Sequence, residues 1–399
     1  MAYDLRRLRA MSGRVAVVGV GDTDYGKDYR TPLGTRQRGV PSERDSYALA
    51  VEAFKRALAD SGLKKEDIDG LLVNGAPYWR IAEILGLRFN WGADQGGAGY
   101  HDVAKATEAI NSGRCNTVAI IKTTVQRSVG AAFGGTNQTR SGYMANWYYP
   151  PWGFTSPGAQ YTMAFQQHME RFGSTEEQLG TVAVTFRKHA MLNENAVMRT
   201  PLTIEDYTSS RYICRPFHIY DYCIINDGAV VLILTRADRA KDLPHTPVLV
   251  AGLGNYGAGI RHTQFSFRFL DEGWENLKNA SDEAFGMAGL GPKDITHFQT
   301  YDGYSFHLPM NLEGFGFCKR GEGLDFIQDG RIEIGGELPC NTSGGMLSES
   351  YMHGSNHQVE AVRQLRREAG QRQVRGAETS MFCHHGHSGA DTVIYRRGN

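Results

Sequence analysis

Three short segments of this chain carry side chains able to hold and move protons. Tyr301-Asp302-Gly303-Tyr304 follows an apolar run. Asn341 to Gly354 (NTSGGMLSESYMHG) passes a glycine pair and then presents Tyr351 and His353. Cys383-His384-His385-Gly386-His387-Ser388-Gly389 lies near the C-terminus. Phenol, imidazole and thiol titrate near about 10, 6.5 and 8.5, and all exchange hydrogen bonds. The glycines let backbone N–H groups approach a bound molecule. Each side chain also has a plainer use. A tyrosine after a strand is ordinarily an amphipathic core residue, and a lone cysteine a small buried hydrophobe. His384, His385 and His387 invite a metal, but their spacing matches no established zinc pattern, and no metal is expected. The three segments are expected to meet at one site.

The elements that must position them follow from the apolar pattern. Residues 14–20 (RVAVVGV) read as a buried strand, and 42–62 as a helix capped by Ser42 and stopped by Gly62. A strand at 68–73 and a short helix at 81–85 come next. The glycine-rich stretch from Gly92 to Gly99 leads into a helix over 100–112, and a strand follows at 117–122. This alternation predicts a parallel sheet covered on both faces. From about residue 123 to 157 the pattern breaks. Trp147 to Phe154 (WYYPPWGF) reads as a functional loop that lines a large apolar pocket or packs at a subunit interface. Helices are expected at 158–172 and 175–192, and Asp227-Gly228-Ala229 opens a strand over 230–235.

After Pro244 the pattern restarts. Residues 247–253 (PVLVAGL) echo the first strand. Gly62-Leu63-Lys64-Lys65-Glu66-Asp67-Ile68 parallels Gly289-Leu290-Gly291-Pro292-Lys293-Asp294-Ile295, and a Gly-Ala pair opens a late strand twice, at Gly228-Ala229 and Gly389-Ala390. An internal duplication of a mixed α/β half explains this. The halves are expected at 1–245, including an inserted loop region at about 123–190, and at 246–399.

Bulk composition narrows the function. Lys plus Arg number 43 and Asp plus Glu 43, so no positive footprint for nucleic acid exists. No apolar run approaches a membrane span, and Met1 to Arg9 lacks the apolar segment of a signal peptide. Six scattered cysteines without a CxxC pair suit a reduced, cytoplasmic protein.

With these glycine turns in a duplicated α/β half, the chain resembles the thiolase superfamily. It is most similar to the sterol-carrier-protein-type thiolases and the thiolase-like aldolases that shorten steroid side chains. The resemblance covers nearly the whole chain. It rests on Asp221 to Thr235 (DYCIINDGAVVLILT), the Tyr301-Asp302 turn, Gly335 to Gly354 and the final CHHGHSGADT. It implies the thiolase fold, two duplicated mixed α/β halves in α-β-α-β-α layers with an inserted loop region. Aligned on Gly113, the thiolase nucleophilic cysteine falls on Gly96, and Cys115 belongs to the next strand. Without a thiolate at the helix start, no ordinary acyl-enzyme forms. The thiolase histidine of the Gly-His-Pro-x-Gly segment becomes Tyr351, and the asparagine of Asn-Glu-x-Phe becomes Tyr301. The third turn keeps its cysteine as Cys383.

The resemblance therefore implies retro-aldol cleavage of a bulky β-hydroxyacyl-CoA, with a steroid side-chain thioester as leading substrate. The products are a ketone or aldehyde plus acetyl-CoA or propionyl-CoA. Such cleavage needs a base for the β-hydroxyl, donors for the thioester oxygen and an acid for the enolate, but no nucleophile. Tyr301 and Tyr351 are expected as base and donor, provided charge-assisted hydrogen bonds lower their pKa. Cys383 is expected as the acid, and the backbone at His385-Gly386 as the oxyanion site. Asp302, His353, Glu349 and Asn341 are expected in support. Alternatives are an acyl-CoA acyltransferase that recruits Cys383, and a non-catalytic acyl-CoA- or lipid-binding subunit. Arg187, Lys188 and His189 either meet CoA phosphates or form a solvated helix face. No cofactor is expected beyond the CoA of the substrate. A homodimer core and a small partner subunit of OB-fold and zinc ribbon are expected.

Overall fold

Glycines in the first strand set how closely its covering helix can lie. The strand is β1 (Val15–Asp22) and the helix α1 (Ser46–Ser61). A Cβ on Gly21 would stand 2.4 Å from the carbonyl oxygen of Ala53, so only glycine permits this approach. The second half repeats the device. In β6 (Val248–Tyr256), a Cβ on Gly252 would stand 2.4 Å from the carbonyl of Ala284 in α6 (Phe269–Ala288). The computed structural model describes residues 4–30, 33–35, 43–94, 99–130, 156–257, 269–386 and 389–398.

Tyr212–Cys214 with Phe217–His218 forms a separate two-stranded ribbon, and the remaining strands of the main sheet are β2 (Gly70–Asn74), β3 (Trp91–Asp94), β4 (Thr117–Val125), β5 (Asp227–Arg236), β7 (His297–Thr300), β8 (Thr379–Gly386) and β9 (Gly389–Arg397). They form one sheet in the order β3-β2-β4-β5-β1-β6-β9-β8-β7. Strands β2, β3 and β4 are parallel, but β5 runs antiparallel to both β4 and β1. The sheet is therefore mixed, not parallel. The chain between β4 and β5 includes α4 (Pro157–Phe172) and α5 (Glu176–Met191), long enough to return the strand in either direction. The edge strand β3 is also unforeseen, because Gly92 obscures so short an apolar run.

Five layers result. Leu49, Ala53 and Ala57 of α1 pack on Ala16 and Val231 of the first half-sheet. On its other face, Leu72, Ile120 and Leu232 meet a central pair of helices, α3 (Gly99–Asn111) and α8 (Ser355–Arg366). Val103 and Ile110 of α3 and Val359 and Val362 of α8 also touch Val250, Phe382 and Val393 of the second half-sheet. Beyond that sheet lie α6 and α7 (His307–Gly314), with Leu277, Ala280 and Leu308 against Met381 and Ile394. The order is α-β-α-β-α. Each fully buried Leu, Val or Phe contributes roughly 1.5–3 kcal/mol to this arrangement.

Local signals fix the helix ends. Asp45 caps α1, accepting from the N–H groups of Tyr47 and Ala48 at 3.0 and 2.9 Å. The cap expected at Ser42 lies outside the described residues. Gly62, with φ of 69°, ends that helix. Thr175 and Gln178 form a capping box on α5. Helix α2 (Tyr78–Leu85) begins three residues before the expected position. Among the described residues, no helix is long and apolar enough to cross a membrane.

Candidate active site

Strand β7 ends at Thr300, and the next residue is Tyr301. Its N–H donates to the carbonyl of Cys383 at 2.8 Å, which ties the Tyr301 turn to the end of β8. The Asn341 side chain closes the third side. Its Oδ1 accepts from the N–H of Thr300 at 2.8 Å, and its Nδ2 donates to the Thr300 carbonyl at 3.0 Å. An amide thus stands in for a neighbouring strand, and Asn341 holds a positive φ of 42° to do so. The three sequence segments do converge.

At their meeting point the hydroxyls of Tyr301 and Tyr351 lie 3.4 Å apart. His353 packs on both rings, with centroids 5.7 Å from Tyr301 and 5.8 Å from Tyr351. His384 meets Tyr301 at right angles, 4.6 Å between centroids. His307 is a third imidazole on Tyr301, at 5.4 Å. Sequence reasoning missed His307; its only signal was its place soon after the Tyr301 turn.

The electrostatics run against one expectation. Burial pushes the Tyr301 phenol well above its ordinary value, and Tyr351 beside it adds to the shift. The lowered tyrosine pKa expected from charge-assisted hydrogen bonds is absent at Tyr301. A neutral phenol is the resting form that its surroundings favour.

Cys383 is not brought to the tyrosines. Successive strand residues face opposite sides. Phe382 joins the central layer, on which Tyr301 also packs. Met381 and Cys383 join the outer core. The Cys383 thiol meets Thr300 and Asn311, and burial pushes its pKa up. A buried thiol on the far face is an inert core group.

The supporting residues brace the turn that carries Tyr351. Asp302 accepts from the N–H groups of Met346 and Leu347 at 2.8 and 3.2 Å and from His357 Nε2 at 2.8 Å. It caps the single turn Gly345–Ser348 instead of facing the phenols. Glu349 accepts from Ser343 Oγ at 2.7 Å, Asn356 Nδ2 at 2.8 Å and Asn193 Nδ2 at 2.9 Å. Burial raises its pKa to about 7. Arg187 departs from both uses foreseen for it. It is buried, and donates to Ser348 Oγ at 3.0 Å and to the Thr200 carbonyl at 2.9 Å. His189 is buried and pushed down to about 4 by desolvation, accepting from the Ile334 N–H at 3.2 Å. Lys188 alone meets solvent, paired with Glu333 at 2.7 Å.

One further segment holds both tyrosine loops. The N–H of Cys223 donates to the Gly303 carbonyl at 3.1 Å, and that of Ile224 to Met346 at 3.0 Å. Asn226 Oδ1 accepts from the N–H of Tyr351 at 2.7 Å, and its Nδ2 donates to Ser350 Oγ at 2.8 Å. Residues 221–227 were visible in the sequence as a motif, but nothing there assigned them this work.

His385 is buried, its carbonyl accepting from Tyr161 at 3.0 Å, and Gly386 ends β8. Gly96, Trp147 to Phe154 and His387 lie outside the described residues.

Comparison with known proteins identifies relatives over nearly the whole chain. The family described as thiolase C-terminal domain-like matches residues 257–396. A steroid side-chain-cleaving aldolase of Thermomonospora curvata is 34% identical over 376 residues, covering 90% of this chain and 92% of the relative. A 17-hydroxy-3-oxo-4-pregnene-20-carboxyl-CoA lyase of Mycobacterium tuberculosis is also 34% identical, over 89% of this chain and 92% of its own length. The solved structure of an Ltp2-ChsH2(DUF35) aldolase superposes with a TM-score of 0.84 at 31% identity, covering 97% of this chain and 98% of that one.

Proposed function

Because this chain belongs to the thiolase superfamily, in its branch of steroid side-chain-cleaving aldolases, we propose that it is the aldolase subunit that cleaves a bulky β-hydroxyacyl-CoA. The Cα–Cβ bond breaks by a retro-aldol reaction, giving a ketone or aldehyde and a short acyl-CoA. A steroid side-chain thioester is the leading substrate. The observation that carries this reading is the Tyr301–Tyr351 hydroxyl pair, 3.4 Å apart at the junction of three segments.

In this reading one tyrosine, having first given up its own proton, takes the β-hydroxyl proton on its phenolate oxygen as the carbonyl forms. The bond electrons pass to the thioester as an enolate, and the second phenol protonates the enolate carbon. The 3.4 Å contact lets the proton gained by one tyrosine replace the one lost by the other. Tyr301 is the acceptor, since three imidazoles pack on it, and Tyr351 is the donor. His353 orients both rings. Asp302, Glu349 and Asn341 act through the backbone of the turns. The strand end at His385-Gly386 is the proposed oxyanion site. The chemistry calls on no cofactor beyond the CoA of the substrate. Acyl transfer through Cys383 is disfavoured by the position of its thiol in the outer core.

The chain works with a partner subunit in a heterocomplex. The partner is proposed as a small OB-fold and zinc-ribbon protein, on a homodimer of this chain in the cytoplasm. The test is to incubate the complex with 17-hydroxy-3-oxo-4-pregnene-20-carboxyl-CoA, the compound in the name of one relative. A steroid ketone and a free short acyl-CoA are expected, with no acyl adduct on the protein by mass spectrometry. A covalent adduct on Cys383 overturns the mechanism.

A further inference from the structure

The tyrosine pair leaves one nearby constellation unused. Asp391 in β9 is opposite His384 in β8 and Asn255 in β6, so all three side chains share a face of the sheet. Asp391 Oδ1 accepts from Asn255 Nδ2 at 2.8 Å, and Oδ2 from His384 Nδ1 at 3.3 Å. His101 of α3 reaches the same Oδ2 with Nε2 at 3.2 Å. The Asp391 carboxylate is almost wholly buried. Burial alone would raise its pKa, but the hydrogen bonds from His101 and His384 hold it below its ordinary value. It is an anion with two imidazoles on one oxygen, one of them against Tyr301.

The proposed reaction needs Tyr301 to accept a proton, yet its surroundings disfavour a phenolate. In hydrolase triads a buried carboxylate on the Nδ1–H of an imidazole orients the ring and stabilises the imidazolium that forms, and Asp391 stands in that relation to His384 Nδ1.

We propose that His384, held by Asp391 and His101, is a positioning residue that makes Tyr301 the proton acceptor of the site. Tyr301 gives up the proton on its oxygen and His384 gains one at Nε2, so the pair stays neutral overall. The phenolate then takes the proton of the substrate β-hydroxyl. The other titratable groups facing Tyr301 are Tyr351, Tyr304, Cys223, His307 and His353, none of them an anionic carboxylate. Those facing His384 are Asp391 and Tyr301, with His101 across the carboxylate. In the sequence, His384 stands out only by its place in the Cys383 turn and in a histidine cluster rejected as a metal site. This proposal rests on the retro-aldol reading above.

The test measures kcat and KM from about pH 6 to about pH 10 for the complex carrying wild-type chain, His384→Asn, Asp391→Asn or Tyr301→Phe. The substrate is the same steroid acyl-CoA. His384→Asn keeps a donor for Asp391 but cannot take up the charge. Near neutral pH its kcat should fall about 100-fold with KM within about 3-fold. Its activity should climb with pH as Tyr301 ionises alone, where wild type is flat. Asp391→Asn should shift the profile the same way by a smaller amount, and it decides the matter if His384→Asn does not fold. A fall in kcat with an unchanged profile means a merely structural role and overturns the proposal. If Tyr301→Phe is inactive while His384→Asn retains the wild-type profile, only the role of His384 fails. If Tyr301→Phe turns over normally, the retro-aldol reading fails and this proposal with it.

Discussion

A phenol buried beside a second phenol resists ionisation, while a buried thiol on the opposite face of its strand lies in the outer apolar core. These two facts separate Tyr301 from Cys383, although both were equally visible in the sequence. Cys383→Ala should leave kcat within about 3-fold of wild type, since the thiol lies in the outer core with Thr300 and Asn311 as its polar partners. Its cost should appear as stability, about 1–2 kcal/mol from a small buried cavity, read by denaturant unfolding of the isolated chain. Glu349 offers a pH test. Its pKa rises from 4.5 to about 7 on folding because burial penalises the charged form. A carboxyl with a raised folded pKa binds its proton more tightly in the native state. Stability is therefore lost as pH rises from about 4.5 to about 7, by up to about 3 kcal/mol. Thermal melts should show Glu349→Gln gaining relative to wild type across that window.

Among the elements, the turn Gly345–Ser348 governs where Tyr351 points. Its first residue has φ of 60°, and a Cβ there would stand 2.1 Å from Asp302 Oδ2. Gly345→Ala must either break the Asp302 cap or displace the turn. A loss of roughly 2 kcal/mol or more in stability is expected, with kcat falling in parallel. Asn226→Ala acts more locally. It removes the acceptor of the Tyr351 N–H, leaving a buried donor unsatisfied at about 1–3 kcal/mol. Turnover should fall roughly 10-fold with KM little changed, because the hydroxyl pair loses its registry. Both residues lay in motifs that the sequence singled out. Their partners, Asp302 and the Tyr351 backbone, are 43 and 125 positions away, and only folding brought them into contact.

For the whole molecule, the site belongs to both halves. Residues 221–227 and His101 come from the first half, and both tyrosines and Asp391 from the second. A bidentate pair joins them, with Arg363 Nη1 and Nη2 on Asp22 at 2.9 and 2.8 Å. Removing one partner of a buried pair strands the other charge. Arg363→Met should lower stability by about 2–4 kcal/mol, discounted for its partial exposure. The remaining unfolding should still be one transition, since α3 and α8 share a core with both half-sheets. Two separated transitions in calorimetry would show that the halves fold independently.

Strands, helix stops and the repeat were legible in the sequence because they depend on local patterns. Apolar β-branched runs and Gly62 at a helix end are each decided within a few residues. The exchange of a nucleophile for two tyrosines is what the resemblance implies from residue identity at motif positions, which needs no coordinates. The mixed sheet was not legible, because strand direction depends on where a long connection returns. Nor was the fate of Cys383, His384 and Arg187. Sequence supplied a thiol, an imidazole and a cation, each fit for chemistry. Strand pleat turned Cys383 into the outer core and placed His384 between Asp391 and Tyr301, and the packing of α5 buried Arg187 under the Tyr351 turn. Side-chain type is written in the chain, but which neighbour it faces, and so how it ionises, is fixed only when distant segments pack.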